Sequence, residues 1–300
     1  MLVKLYRKYV SQEVRDRVYD NFLGDLLFIK RNFPEIMKMK FYRLFHYFLP
    51  NTEENRCYTF MGKYGLMNLP YPFRLEYERK AVDCQFDKKR GMFFVNHYGK
   101  KLFFHKNYTQ KRVIKQYRGL IAEQDLCSSH QYVKDKNQLR GKTLLDVGAA
   151  EAMFSLDVVE IVAKVYLFEC EPEWIEALEA TFAPWKNKVE IIQKYVSDIN
   201  DENNITIDRF LEGKDKSNLF IKMDIEGYEQ VALQGATNTF NETQDIDFSI
   251  ATYHKEDDEQ EIAKFIRHHH LEYEQPEGYF YMCTKGNKGL RRAIIRKKII

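Results

Sequence analysis

The stretch Thr143-Leu-Leu-Asp-Val-Gly-Ala-Ala-Glu-Ala-Met-Phe-Ser-Leu156 runs from an apolar segment through a single glycine into a helical pattern. A glycine turn between strand and helix, at the carboxyl edge of an open α/β sheet, is where such folds bind nucleotide-like ligands. A dinucleotide site needs G-x-G-x-x-G, so that backbone can approach a pyrophosphate at the helix N-terminus. Only Gly148 is present here, followed by Ala149 and Ala150. Asp146 and Glu151 flank the turn, and two carboxylates in a desolvated crevice repel phosphate and favour a cation. S-adenosylmethionine has that chemistry: an ammonium, a sulfonium, two ribose hydroxyls and no phosphate. Glu169 ends the next apolar run, close to where an acidic side chain grips ribose hydroxyls in nucleotide-binding sheets.

Outward from this turn, apolar runs alternate with helical patterns, as in a parallel sheet wound with helices. Strands are predicted over 143–147, 165–169, 189–196, 219–225, 246–253, 271–274 and 278–283, and helices over 154–163, 172–182, 229–240 and 257–269. Only Gln275-Pro-Glu277 separates the last two strands, too short for a crossover, so an antiparallel hairpin is expected. The fold class is therefore α/β, a seven-stranded Rossmann-like sheet of the class I methyltransferase kind with an antiparallel last strand. Residues 1–125 read differently: two or three amphipathic helices over 7–49, a short β-meander over 82–104 and a helix over 109–122. The expected organisation is an N-terminal appendage (1–125), a cofactor-binding domain (126–288) and a basic C-terminal tail (289–300).

Charge follows the same division. Residues 1–125 hold 25 Lys/Arg against 13 Asp/Glu, and residues 126–288 hold 17 against 31. A basic face beside an acidic ligand-binding domain suits an anionic surface or a phosphate-bearing substrate. The tail Arg291-Arg-Ala-Ile-Ile-Arg-Lys-Lys-Ile-Ile300 alternates basic pairs with isoleucines and reads as a segment resting on a membrane or a packed terminus. No long uncharged apolar run is present, and the expected location is the cytoplasm, peripheral to the inner face of the membrane. Five widely spaced cysteines argue against a zinc ribbon or a secreted disulfide framework. Nucleic-acid motifs are missing, so the aromatic and basic residues of 5–48 are read as helices packing on the catalytic domain or on a second copy in a homodimer.

The stretch Leu219-Phe-Ile-Lys-Met-Asp-Ile-Glu-Gly-Tyr-Glu-Gln-Val-Ala-Leu-Gln-Gly-Ala236 closely resembles the fourth-strand signature of FkbM-type S-adenosylmethionine-dependent methyltransferases, a K-x-D-x-E-G-x-E core leading into a helix that closes with Gly-Ala. Similar segments follow the same order: the loop after Leu144, Val165–Leu178, Tyr195-Val-Ser-Asp198 and Ala251-Thr-Tyr-His-Lys255, with Ser128-Ser-His-Gln-Tyr132 upstream. The resemblance implies S-adenosylmethionine as cofactor and O-methylation of a saccharide, glycan or other natural-product hydroxyl. It places Asp146, Gly148, Ala149, Ala150 and Glu151 at the methionine moiety, Glu169 on the ribose, Ser197 and Asp198 beside the adenine, and Asp224 near the reacting methyl. Ala152 departs from the pattern, because the family's loop commonly has glycine there.

A sugar hydroxyl needs a positioned general base. Asp224, Glu226 and His254 fall at the carboxyl ends of adjacent predicted strands; His254, with its near-neutral intrinsic pKa, is the first choice, and Asp224 the second. Tyr228, Tyr253 and Lys255 are expected to meet the acceptor. The O-rich trio also suits a hard divalent cation, although no resident metal is assigned, and His268-His-His270 is read as a solvated helix end. Two other readings stay open: a degenerate methyltransferase fold serving as scaffold in a glycan-assembly complex, hinted at by Ala152, and a nicotinamide-dependent oxidoreductase, disfavoured by the missing glycines.

Overall fold

A computed structural model describes Val14, Val18 and residues 23–243, 246–284 and 287–298. The chain divides into two compact units, residues 1–121 and 122–300. In the first, α1 (Gly24–Phe45) packs against α2 (Glu53–Tyr64), followed by a short α3 (Arg74–Arg79). The sequence reading stopped at Pro50 and missed α2 and α3. The signal for α2 is local: the Thr52 side chain accepts from Asn55 N, and Glu53 and Glu54 fill the first turn, where carboxylates offset the helix dipole. The meander is as expected, with β1 (Cys84–Asp87), β2 (Met92–His97) and β3 (Lys100–Phe103) paired antiparallel. Helix α4 (Gln110–Glu123) follows.

The second unit is built on β4 (Thr143–Val147), α5 (Met153–Val158), β5 (Lys164–Phe168), α6 (Pro172–Phe182), β6 (Val189–Ile192), β7 (Tyr195–Val196), β8 (Asn204–Ile205), α7 (Ile207–Phe210), β9 (Leu219–Met223), α8 (Glu229–Gln234), α9 (Thr237–Glu242), β10 (Asp247–Ala251), α10 (Asp258–His268), β11 (Tyr273–Glu274), β12 (Phe280–Thr284), β13 (Asn287–Arg291) and β14 (Ile294–Lys297). Seven strands form one sheet in the order β11-β14-β10-β9-β4-β5-β6. The five from β10 to β6 run parallel, and β14 is antiparallel to both its neighbours. This is the class I methyltransferase arrangement expected from the sequence. Central strands covered on both faces are apolar throughout, and β9 obeys the rule at every position but one: all five of its residues are buried, and the fourth is Lys222.

Several details differ from the sequence reading. The antiparallel strand is not 278–283, and 271–274 does not form a hairpin with it. Phe280–Thr284 pairs instead with Asn287–Arg291 in a separate ribbon, and the chain then returns as β14 between β10 and β11. The expected basic tail is thus largely strand. Arg296 can stay buried inside the sheet because its Nε donates to Glu274 Oε1 at 2.9 Å and its guanidinium donates to Gln131 O at 2.9 Å.

The run 189–196 is also split, since Tyr195–Val196 leaves the main sheet to pair with β8. The helix expected over 229–240 breaks at Gly235, where a Cβ would lie 2.1 Å from Ser197 O. In the His268-His-His270 run, His269 is buried and bonds Phe265 O through Nδ1, so only its neighbours are solvated.

Candidate functional site

The lone lysine of β9 organises the glycine turn. Asp146 and Lys222 are register partners on adjacent strands, which sets their side chains on one face. Lys222 Nζ lies 2.9 Å from Asp146 Oδ1 and donates to Gly148 O at 2.6 Å, while Ser155 Oγ donates to Asp146 Oδ2 at 2.6 Å. Burial pushes toward the neutral lysine, but Asp146 and then Asp224 outweigh it and hold the pKa above its ordinary value. The carboxylate expected to face a cationic ligand is therefore engaged on both oxygens by this chain's own groups.

Gly148 and Ala149 donate their amides to Phe168 O. Gly148 adopts φ +81, and a Cβ would lie 2.0 Å from Asp224 O, so the turn and the strand end at Asp224 approach each other only through glycine. Ala152 takes φ 52 at the N-cap of α5, the conformation that a glycine would adopt freely. The alanine thus accepts strain of about 1 kcal/mol and leaves the turn formed. Beside it, Glu169 Oε2 accepts from Ala150 N at 2.8 Å and Oε1 from Glu171 N at 2.9 Å; burial raises its pKa. A carboxylate offers about four acceptor sites, so Glu169 retains capacity for ligand hydroxyls, and Glu151 is buried at the same turn. Ser197 and the exposed Asp198 follow β7, joined by a 3.2 Å hydrogen bond. Acceptor-rich walls around a tight turn, with the local lysine already engaged, fit S-adenosylmethionine better than a dinucleotide.

Beyond β9 and β10 lies a second cluster, centred on Asp224. Tyr132 donates to Asp224 Oδ2 at 2.8 Å and Tyr253 to Oδ1 at 3.1 Å; His130 Nε2 stands 3.5 Å from Oδ2 and His254 Nε2 3.5 Å from Oδ1. Burial alone would raise this carboxyl, but the hydrogen bond and charge of His130, then Lys222 and His254, hold it well below the carboxylate range. His254 is itself buried, with Nδ1 at 3.0 Å from Glu229 Oε1 and Nε2 3.6 Å from Glu226 Oε2. Burial favours the neutral ring, yet Glu229 first and then Asp224 raise the imidazole to about 9. Asp224, Glu229 and His254 each offer a ligand atom within 4.8 Å of the others, a grouping able to hold a cation.

The structure brings Asp224 and His254 together as the sequence suggested, and puts Glu226 on the exposed side of His254 in a left-handed turn (φ 56). Among the acceptor candidates, Lys255 Nζ and the exposed Tyr228 ring lie 5.9 Å apart at the surface, whereas Tyr253 is buried with its hydroxyl on Asp224. Sequence reasoning missed Lys222, Glu229, His130 and Tyr132. Glu229 was visible as the last acid of K-x-D-x-E-G-x-E. It is fully buried and accepts from Ile225 N at 2.7 Å, closing the turn that carries Glu226. Lys222 was visible as a charge inside an apolar strand.

No curated protein matches the sequence. Among solved structures, similarity is found to a methyltransferase FkbM from Methylobacillus flagellatus KT, at 17% identity over 63% of this chain and 54% of that one, TM-score 0.40. This chain therefore spans about half the length of that protein. Similarity is also found to Trm5b from Pyrococcus abyssi, at 15% identity over 69% and 56%, TM-score 0.42. A third is magnesium protoporphyrin IX methyltransferase from Synechocystis PCC 6803, whose structure holds bound SAM, at 14% identity over 62% and 84%, TM-score 0.38. The family whose signature the fourth strand resembles is also the one that the family model reports: residues 187–277 match the Methyltransferase FkbM domain.

Proposed function

We propose that this chain is an S-adenosylmethionine-dependent O-methyltransferase acting on a hydroxyl of a saccharide or related glycan. The observation that carries the reading is the position of His254, held between Glu229 and Asp224 at the carboxyl rim of the sheet, next to a turn walled by buried carboxylates. The cofactor, when bound, supplies a methyl group made electrophilic by the sulfonium. Glu169 holds the ribose hydroxyls, Glu151 draws the cationic end of the ligand toward the turn, and Ser197 and Asp198 flank the base.

The chain's own part is to orient the acceptor and take its proton. With Nδ1–H donated to Glu229, the neutral His254 ring presents the Nε2 lone pair toward Asp224 and Glu226; this tautomer follows from the hydrogen-bond partners. Asp224 stays ionised and stabilises the imidazolium formed when Nε2 takes the acceptor proton. Its two tyrosine hydroxyls fix its direction. Tyr228 and Lys255 offer an exposed aromatic face and a cation to the acceptor.

Calorimetry with S-adenosylhomocysteine and NADH, together with label transfer from methyl-labelled cofactor to a glycan panel, tests this reading. The expected result is S-adenosylhomocysteine binding weakened in Glu169→Ala, and transfer to a glycan that is lost in His254→Gln while binding persists. NADH binding would make the protein an oxidoreductase, and binding of neither ligand would favour a scaffold.

A further inference from the structure

Helix α1 buries one narrow face, with Asn32 and Met39 inaccessible. On another face Leu26, Ile29, Phe33, Met37, Phe41 and Leu44 recur every three or four residues, the spacing of one stripe along a helix. Each is at least 50% exposed, and the 3-10 turn His46–Phe48 adds Tyr47 and Phe48 at 87% and 84% exposed. An exposed apolar stripe of this length marks an interaction surface. Lys30, Arg31, Lys38, Lys40 and Arg43 lie on the same helix against only Asp25 and Glu35. Among the described residues no helix is long and apolar enough to cross a membrane.

We propose that α1 lies in the interface of an anionic lipid bilayer, with its apolar stripe in the acyl boundary and its basic residues among the headgroups. A second copy of the chain is the competing occupant, and charge decides between them. Pairing two copies of α1 sets one net-positive helix, with five Lys/Arg against two acids, beside another, whereas anionic lipid neutralises them and adds attraction for each Lys or Arg near the surface. Lys40 turns its Nζ to Gly62 O at 3.0 Å, which leaves Lys30, Arg31, Lys38 and Arg43 for the headgroups. Aromatic residues at the end of such a helix sit well at the headgroup level. Membrane contact is thereby assigned to α1 rather than to residues 294–296, where Ile294, Ile295 and Arg296 are buried in the sheet.

Flotation of the full chain with vesicles of phosphatidylcholine alone, and of phosphatidylcholine mixed with phosphatidylglycerol, tests the proposal. Binding to the anionic vesicles only is expected. It should fall more than about tenfold in Phe33→Glu/Phe41→Glu and in Lys30→Glu/Arg31→Glu/Arg43→Glu, and weaken as salt is raised. These side chains are exposed, so circular dichroism and Tm should show both variants folded. Absence of flotation, or flotation that neither variant changes, overturns the proposal. So does a dimer in light scattering that Phe33→Glu/Phe41→Glu dissociates when no vesicle binding occurs, which would assign the face to a second copy.

Discussion

Asp146, which is buried, and Asp224, which is partly buried, stand at the carboxyl ends of neighbouring strands and are neutralised in opposite ways. Asp146 meets a lysine whose proton is held firmly, and a serine hydroxyl. Asp224 meets two tyrosine hydroxyls and two histidines, one of which titrates near 9. The first arrangement fixes a loop, because the lysine's proton is held by its carboxylate neighbours and its Nζ ties the strand to Gly148 O. The second can gain and lose a proton, which is what a catalytic rim needs.

The strongest way to break this contrast is to remove the fixed cation. Lys222→Met leaves Asp146 buried without its counter-charge and frees Gly148 O, so unfolding in urea should show a loss of about 3–5 kcal/mol. Adding Asp146→Leu should return much of that loss, because an apolar pair of similar volume fits the interior. If Lys222→Met instead costs under about 1 kcal/mol, the pair is not what holds the turn.

Next in size is the titrating side. His254→Gln should lower methyl transfer by about a hundredfold or more, the scale of a lost general base. In the intact protein, transfer should rise with pH toward about 9, as His254 loses its proton. Stability should move the other way. The folded pKa is raised from 6.5 to about 9, so the stabilisation is fully present below 6.5 and lost as pH rises through 9. The loss is on the order of 3 kcal/mol, and it should be largely missing in His254→Gln. A pH–rate profile unchanged by that substitution would pass the base role to Asp224.

Glu229→Gln sharpens the same point with a smaller effect. Glu229 makes the largest contribution raising His254, so its neutral replacement should move the midpoint of the pH–rate profile downward, away from 9. The rate at high pH should fall by up to about tenfold, because a carboxamide no longer fixes one tautomer of the ring. A fixed midpoint would mean that Asp224, rather than Glu229, sets the pKa.

What the sequence disclosed divides along the same physical lines. The parallel core was legible because β4, β5 and β9 are apolar runs punctuated by Gly148 and Pro172, and the rim because strand ends carry acids. Strand β14 was not, since a buried arginine among isoleucines imitates an amphipathic surface segment, and only the distant Glu274 and Gln131 make that burial tolerable. Tyr132 and His130 were hidden for a related reason. Their partner Asp224 stands more than ninety residues away, and no local period encodes a contact made only after the sheet has closed.

The smallest expected effect belongs to Ala152, the residue at which this turn departs from the resemblance. Its left-handed φ of 52 carries strain that glycine lacks, which favours Ala152→Gly by about 1 kcal/mol. Glycine also enlarges the freedom of the unfolded chain, which opposes the change by about 0.4–1 kcal/mol. The two terms nearly cancel, so thermal unfolding of Ala152→Gly should shift by no more than a degree or two. S-adenosylhomocysteine affinity should change less than about threefold, within the scatter expected of a substitution that leaves the turn in place. A large gain in affinity would show that the alanine methyl obstructs the ligand, and the turn would then belong to a protein moving away from catalysis rather than one holding its cofactor.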